Sequence, residues 1–293
     1  MIRFMRFKLL YFALSLAVIL PGAWSLVRFG LRPAIDFTGG ALIELEIQPH
    51  EGKQVTESAL RDLVGQDVEV YAVQQTGEGT VMLRTKPISE DQKLAFTDRG
   101  KEQLGGVVER RFESVGPTIG RELLQKTVMA VVIAALLILI YVAYRFKELK
   151  YGICAILAMF HDTLVILGSF SLLGHFLGVE VDTLFVTAVL TILSFSVHDT
   201  IVVYDRIRES RKRHPQAHYE EIVNLAVAET LGRSLNNSLT IIFMLTALLL
   251  FGGVTIRWFA TALLIGTVTG TYSSTFTAAP LLVIWENFKR RKS

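Results

Sequence analysis

The chain divides by the spacing of its apolar residues. Residues 30–126 alternate short apolar and polar stretches, as a water-exposed domain does. On either side, long apolar runs are joined by short basic loops. A helix of about 20 mostly apolar residues crosses a bilayer. Six runs reach or approach that length: Leu9 to Val27, Thr127–Tyr144, Tyr151–Leu177, Thr183–Tyr204, Ser234–Phe251 and Trp258–Trp285. The pattern predicts a polytopic α-helical membrane protein. Residues 1–29 form the N-terminus and first span, 30–126 an external α+β domain, and 127–293 the other five spans with their loops and the C-terminus. Trp24, Trp258 and Trp285 fall at span ends, where interfacial anchors belong. The first run also has the outline of a signal peptide, but it lacks an A-x-A site and is expected to stay as a span.

Within the external domain, Ala41–Pro49 alternates strictly, with Ile43, Leu45 and Ile47 on one face, and reads as a strand. Thr56–Val64 reads as a helix capped by Thr56. Asp67–Gln74 and Thr80–Thr85 read as a hairpin turning at Thr76–Gly79. Ser89–Leu104 then reads as a helix and Val107–Ser114 as a last strand. The order βαββαβ predicts a ferredoxin-like domain, a fold that selects no function by itself. His50, its only histidine, falls in a turn and reads as a solvated loop residue.

Composition agrees with the two-part division. The chain has 293 residues, 51% of them apolar and 19% charged, against about 45–50% and 25% in soluble domains. Its mean hydropathy is +0.44. A disordered or fibrous chain is excluded. Cys154, the single cysteine, excludes a disulfide scaffold and a cysteine-rich metal site. The net charge of +3 is a sum of opposites. Residues 28–126 hold 13 Lys/Arg and 16 Asp/Glu, and the rest of the chain 17 and 11. The excess cations cluster in alternate loops: Arg3, Arg6 and Lys8; Arg145, Lys147 and Lys150; Arg206 to Arg213; and Lys289 to Lys292. The positive-inside rule then puts both termini in the cytoplasm and 30–126 in the periplasm or its equivalent.

A few polar residues do not fit this division. His161-Asp162 falls in the third span and His198-Asp199 in the fourth, followed by Thr200. Ionisable groups at membrane depth are costly and as a rule functional. The apolar run Leu239–Phe251 is too short to cross alone, so the fifth span draws in Ser234, Asn236 and Asn237, with Arg233 at its boundary. Asp199 is the expected partner of Arg233. Desolvation and a neighbouring cation pull the protonation of a buried carboxylate in opposite directions. That balance suits Asp199 to carry a proton, and its neutralisation would bias the packing of the helices. Hydroxyls are abundant: Thr187, Thr191 and Ser194 form one stripe, and Thr267, Thr269, Thr271, Ser273 and Thr275 accompany the small-residue series Gly266, Gly270 and Ser274. They are expected to line helix contacts or a hydrated path.

Other chemistries lack their residues. Neither aspartate has the Tyr-Asp or Gly-x-Gly-Asp context of an intramembrane protease. No P-loop, G-x-S-x-G elbow or zinc-spaced ligand set is present. The basic run after the fourth span is explained by topology, so no nucleic-acid partner is expected. No cofactor or metal is expected beyond protons as coupling ion, and no enzymatic activity.

Four motifs, with an Arg at matching spacing, carry a resemblance. Ile35-Asp36-Phe37-Thr38-Gly39-Gly40 opens the external domain, and Val115-Gly116-Pro117-Thr118-Ile119-Gly120 closes it. His161-Asp162 lies in the third span. Ser196-Val197-His198-Asp199-Thr200-Ile201-Val202-Val203-Tyr204-Asp205-Arg206-Ile207-Arg208-Glu209 runs through the fourth, and Leu231-Gly232-Arg233-Ser234 follows. In this order they closely resemble the SecF family of protein-export subunits, related to the resistance-nodulation-division transporters. The resemblance implies a subunit that pairs obligately with SecD and acts after SecA on chains leaving the SecYEG channel, with YajC as a further partner. It implies coupling to the proton-motive force in the bacterial inner (plasma) membrane. It assigns proton transfer to Asp199 and Arg233, with His198, His161, Asp162 and Thr200 supporting. The alternative is a subunit of a related proton-driven small-molecule or lipid exporter, disfavoured by the single small external domain. One departure stands out: the family usually has Asn where this chain has His198. A neutral imidazole replaces the amide as a hydrogen-bonding group, whereas a titrating one would alter the pH range of coupling.

Overall fold

A computed structural model describes residues 3–49, 69–77, 79–89, 91–95, 98–99, 105–146 and 148–292. It separates into two compact units, Pro33–Val128 and the remainder.

In the smaller unit, a short helix α2 (Ile35–Thr38) precedes β1 (Gly40–Pro49), β2 (Val70–Gly77), β3 (Thr80–Thr85) and β4 (Gly105–Val115). The sheet order is β2-β3-β1-β4, and every pairing is antiparallel. β1 and β2 flank β3, and β3 and β4 flank β1. These are the interleaved crossovers that a ferredoxin-like βαββαβ chain requires. The alternation in β1 sets its faces: Ile43, Leu45 and Ile47 are buried and pack with Val81 and Leu83 of β3. The helix expected at Thr56–Val64, and His50, lie outside the described residues. The second expected helix is described as helical at 91–95 and 98–99.

The two glycine motifs meet. Gly39 and Gly40 adopt φ of +72° and +135°. A Cβ on Gly39 would fall 2.8 Å from Pro117 Cα, and one on Gly40 would fall 2.8 Å from the Thr85 carbonyl oxygen. Only glycine fits both the backbone angle and the space. Asp36 and Thr38 lie on α2, whose Ile35 and Phe37 are buried. Arg84 of β3 ties this turn down, donating to the Pro33 carbonyl (2.9 Å) and to Thr38 Oγ1 (3.3 Å).

The larger unit is helical. After a short 3-10 turn come α1 (Lys8–Phe29), the bundle part of α3 (Pro117–Arg145), α4 (Leu149–Leu177), α5 (Thr183–Arg213), α6 (Tyr219–Phe251) and α7 (Val254–Ser273). α7 continues through a π-helical turn, Ser274–Ala278, into α8 (Ala279–Lys292). Among the described residues, five helices are long and apolar enough to cross a membrane: α3, α4, α5, α6 and the segment Phe4–Phe29. The sixth predicted span is the rod made of α7, the π turn and α8. α5 and α6 run past the predicted span ends. Their extensions are held by Arg206, which bonds to Glu209 and to Glu229 of α6 (both 2.5 Å), and by Arg213 with Glu209.

α4 and α5 form the core of the bundle, and α3 is nearly bare. Asp182 caps α5 by accepting from the Phe185 N–H (2.7 Å). Glu148, ahead of α4, is held below the usual carboxylate range. Burial works against its charge, but its hydrogen bond to Lys150 and the charges of Lys150, Arg211 and Arg208 outweigh that. α1 crosses α4 at Gly22 and Gly168, so close that a Cβ on Gly168 would fall 2.6 Å from Gly22 Cα. The small-residue crossing lets Ser25 and Ser171 bond beside it (2.8 Å). Gly168→Leu is expected to destabilise the bundle by about 1–3 kcal/mol, because backbone cannot yield as a side chain does. Thermal melting in detergent checks this; an unchanged melting temperature would refute the close crossing.

Candidate functional site

Two buried carboxylates define the site. Helical spacing puts His161 and Asp162 on the buried side of α4, and Ser196, Asp199 and Thr200 on that of α5. Asp162 is 1% exposed. Its Oδ2 accepts from Ser196 Oγ of α5 (2.5 Å) and from Ser273 Oγ of α7 (2.6 Å). Its Oδ1 lies 2.9 Å from His161 Nδ1. His161 Nε2 lies 3.0 Å from Ser15 Oγ of α1. With Asp162 ionised, Nδ1 carries a hydrogen, and in a neutral ring Nε2 then accepts from Ser15. The dyad is thus tied to three other helices.

Asp199 is 6% exposed. Its Oδ2 accepts from Ser234 Oγ of α6 (2.6 Å) and Ser274 Oγ of the π turn (2.5 Å). Ser238 and Thr271 bond one turn away (2.5 Å). Among the described residues, neither carboxylate pairs with Lys or Arg. Serine hydroxyls both donate and accept, so this cradle accommodates Asp199 ionised or protonated. Adjacent residues on a helix point about 100° apart, so Ser273 reaches Asp162 while Ser274, the first residue of the π turn, reaches Asp199.

The expected pairing of Arg233 with Asp199 is not formed. Ser234 holds the position facing Asp199, and the next residue on a helix is turned by about 100°. Arg233 is therefore exposed, as is His198, one residue before Asp199. Thr187, Thr191 and Ser194 of α5 and Asn236 and Asn237 of α6 are exposed too. Thr200 is buried. Asp36, Phe37, Thr38, Gly39 and Gly40 belong to the smaller unit and serve its turn. The serines that donate to the carboxylates, Ser196, Ser234, Ser273 and Ser274, and Ser15 beside His161 were visible only as hydroxyls in apolar runs. The signal that ranks them is helical phase relative to Asp162 and Asp199.

The architecture is that of a multi-pass membrane protein with buried, hydroxyl-cradled carboxylates and a separate unit built on a ferredoxin-like sheet. Residues 97–288 match the model of the protein export membrane protein SecD/SecF, C-terminal, and residues 24–49 match the SecD/SecF GG motif. The protein translocase subunit SecF of Thermobaculum terrenum is 45% identical over 98% of this chain and 95% of its own. The protein translocase subunit SecDF of Thermus thermophilus is 37% identical over 90% of this chain and 35% of its own. The crystal structure of that organism's SecDF, described as a translocon-associated membrane protein, superposes with a TM-score of 0.84 at 34% identity. It covers 98% of this chain, which spans only 39% of the solved one. The chain belongs to the SecD/SecF family of protein export membrane proteins.

Proposed function

We propose that the chain is the SecF-type subunit of a two-part translocase that uses the proton-motive force to assist export through SecYEG after the SecA-driven step. SecD is its obligate partner, YajC a further one, and the exported polypeptide its substrate. The subunit lies in the bacterial inner (plasma) membrane, with both termini cytoplasmic and residues 30–126 periplasmic. It catalyses no covalent chemistry. Asp199 carries the proton.

The observation that carries this reading is the split between buried and exposed polar groups. Asp199 and Ser234 are buried, while His198 and Arg233, each one residue earlier, are exposed beside Thr187, Thr191, Ser194, Asn236 and Asn237. Thr187 and Thr191 bond carbonyls of their own helix, but lipid tails cannot satisfy His198, Arg233, Asn236 and Asn237, so a second protein surface must cover this polar face. SecD suits it, because the Thermus thermophilus relative is a SecDF chain of which this one matches 35%. Arg233 then meets a carboxylate of the partner and brings its charge to the edge of the Asp199 site.

Affinity-tagged chain, co-expressed with its genomic SecD-class protein and purified in mild detergent, is expected to retain that protein. Arg233→Leu with Asn237→Leu is expected to lose most of it without a lower melting temperature. Retention by this variant equal to wild type would remove the assignment of the polar face.

A further inference from the structure

Four consecutive residues of the last rod bond four different helices. Thr271 Oγ1 lies 2.5 Å from Ser238 Oγ of α6. Tyr272 Oη donates to the Tyr11 carbonyl of α1 (2.7 Å). Ser273 donates to Asp162 of α4 (2.6 Å) and Ser274 to Asp199 of α5 (2.5 Å). Steps of about 100° per residue aim these side chains at their neighbours in turn. Ser273 and Ser274 are fully buried. Thr271–Ser274 is therefore a hub, where α1, α4, α5 and α6 are all tied to α7. The π turn, Ser274–Ala278, follows it directly. On the far side of the turn α8 is fastened separately. The Ala278 carbonyl accepts from Tyr204 (3.0 Å), Ala279, Leu282 and Val283 are buried, and Glu286 bonds Lys150 (3.1 Å).

The turn between these two fastenings is short of bonds. Thr261, Thr267, Thr269 and Thr271 each donate to a carbonyl one turn back, at 2.7–3.0 Å. That internal bond belongs to regular α-helical geometry. Thr275 and Thr277 lie buried within the π turn, and among the described residues neither hydroxyl has a partner. With fewer internal bonds, the turn deforms at lower cost than the α-helix on either side. The hub, by contrast, has a second acceptor for its hydrogens. Ser274 Oγ also lies 3.1 Å from the Thr271 carbonyl, and Ser273 Oγ 3.2 Å from that of Gly270. When Asp199 gains a proton, the acid needs an acceptor. Ser274 accepts from it and donates to the Thr271 carbonyl instead. A bond to a carboxylate, about twice as strong as a neutral one, is exchanged for an ordinary one, and α7 is held less tightly to α5.

We propose that the π turn is a joint, about which α7 shifts relative to α8 when Asp199 gains or loses its proton. The hub carries the change to the helices it ties together, and α8 keeps its place. Elements with two packings close in energy make such movements possible, and π turns recur at functional sites. Asp162 and His161 of α4, Tyr204 of α5, Tyr272 of α7 and Tyr11 of α1 are the other titratable groups at the hub and the turn. His198 and Arg233 flank it at exposed positions. The proposal rests on the assignment of the proton to Asp199.

A π turn holds one residue more than the α-helical turn it replaces, so deletion of Thr275 closes the joint while α7 and α8 keep their facing. The full chain carrying this deletion, with its SecD-class partner, is expected to keep its melting temperature or raise it. Its gradient-stimulated export into inverted vesicles is expected to fall to the level seen without a gradient. Wild-type stimulation in the deletion, with none in Asp199→Asn, overturns the joint and leaves the function of Asp199 standing. Stimulation that survives Asp199→Asn removes the assignment to Asp199, and the joint with it. A second measurement needs no deletion and decides the matter if the shortened chain melts early. Amide hydrogen exchange is compared in wild-type and Asp199→Asn complexes at the same alkaline pH. Residues 274–280 are expected to exchange a few fold faster in the asparagine variant, and 284–292 at the same rate in both. Equal exchange over 274–280 in the two complexes overturns the joint.

Discussion

Asp199→Asn is expected to reduce proton-gradient-stimulated export to the level seen without a gradient, while the subunit still folds and still binds its partner. Asparagine has the shape of the protonated acid, and its carbonyl oxygen still accepts from Ser234 and Ser274, whose hydroxyls hold Asp199 at 2.6 and 2.5 Å. The cost in stability should therefore stay under about 1 kcal/mol. What asparagine lacks is a proton to release. The measurement is export of a secreted reporter into inverted vesicles that contain the complete translocase, with and without an imposed gradient. Glutamate, which keeps the carboxyl group on a longer arm, should restore part of the stimulation. Full stimulation in the asparagine variant would mean that the proton travels elsewhere.

Asp162→Leu is expected to act on folding. Asp162 is the more deeply buried carboxylate, and it receives Ser196, Ser273 and His161 from three directions. Leucine fills the volume and leaves Ser196 and His161 without this acceptor, while Ser273 keeps its bond to the Gly270 carbonyl (3.2 Å). Each buried donor left without an acceptor costs about 1–3 kcal/mol, and two of them take a large part of the stability of a marginally stable domain. Asp162→Asn keeps an acceptor for the two serines and should cost clearly less. Thermal unfolding in detergent, followed by a buried-cysteine probe of Cys154, reads the difference. The three proteins should melt in the order leucine variant, asparagine variant, wild type. Coincident melting would show that the cluster does not hold the bundle together.

Much of the fold was legible in the chain because membranes and sheets impose simple periods. The runs around α3, α4 and α5 announced themselves by length, and Ile43, Leu45 and Ile47 by strict alternation. The start of α6 was missed because its first turns are amphipathic. Tyr219, Ile222, Val223, Ala226 and Val227 are buried there, but a search for continuous apolarity passes over them. The interruption of the last span was missed because a π turn has no compositional mark; Ser274–Ala278 reads like any hydroxyl-rich helix. The site was half legible. Asp162 and Asp199 stood out because charge is rare at that depth. Their serine partners did not, because a pairing across helices depends on rotation and register, which one sequence does not display. The same limit misplaced Arg233: proximity to the fifth span was readable, but the single step of helical phase that sets Ser234 against Asp199 and turns Arg233 outward was not.

The most direct test of proton coupling is a count of protons. The chain and its SecD-class partner are purified together and reconstituted in vesicles with a pH-sensitive dye inside and a defined gradient across the membrane. Wild-type complex is expected to acidify or alkalinise the interior in the direction of the gradient faster than protein-free vesicles, and Asp199→Asn complex to match the protein-free rate. Equal proton flux through wild-type and Asp199→Asn complexes would contradict the assignment of the proton to Asp199.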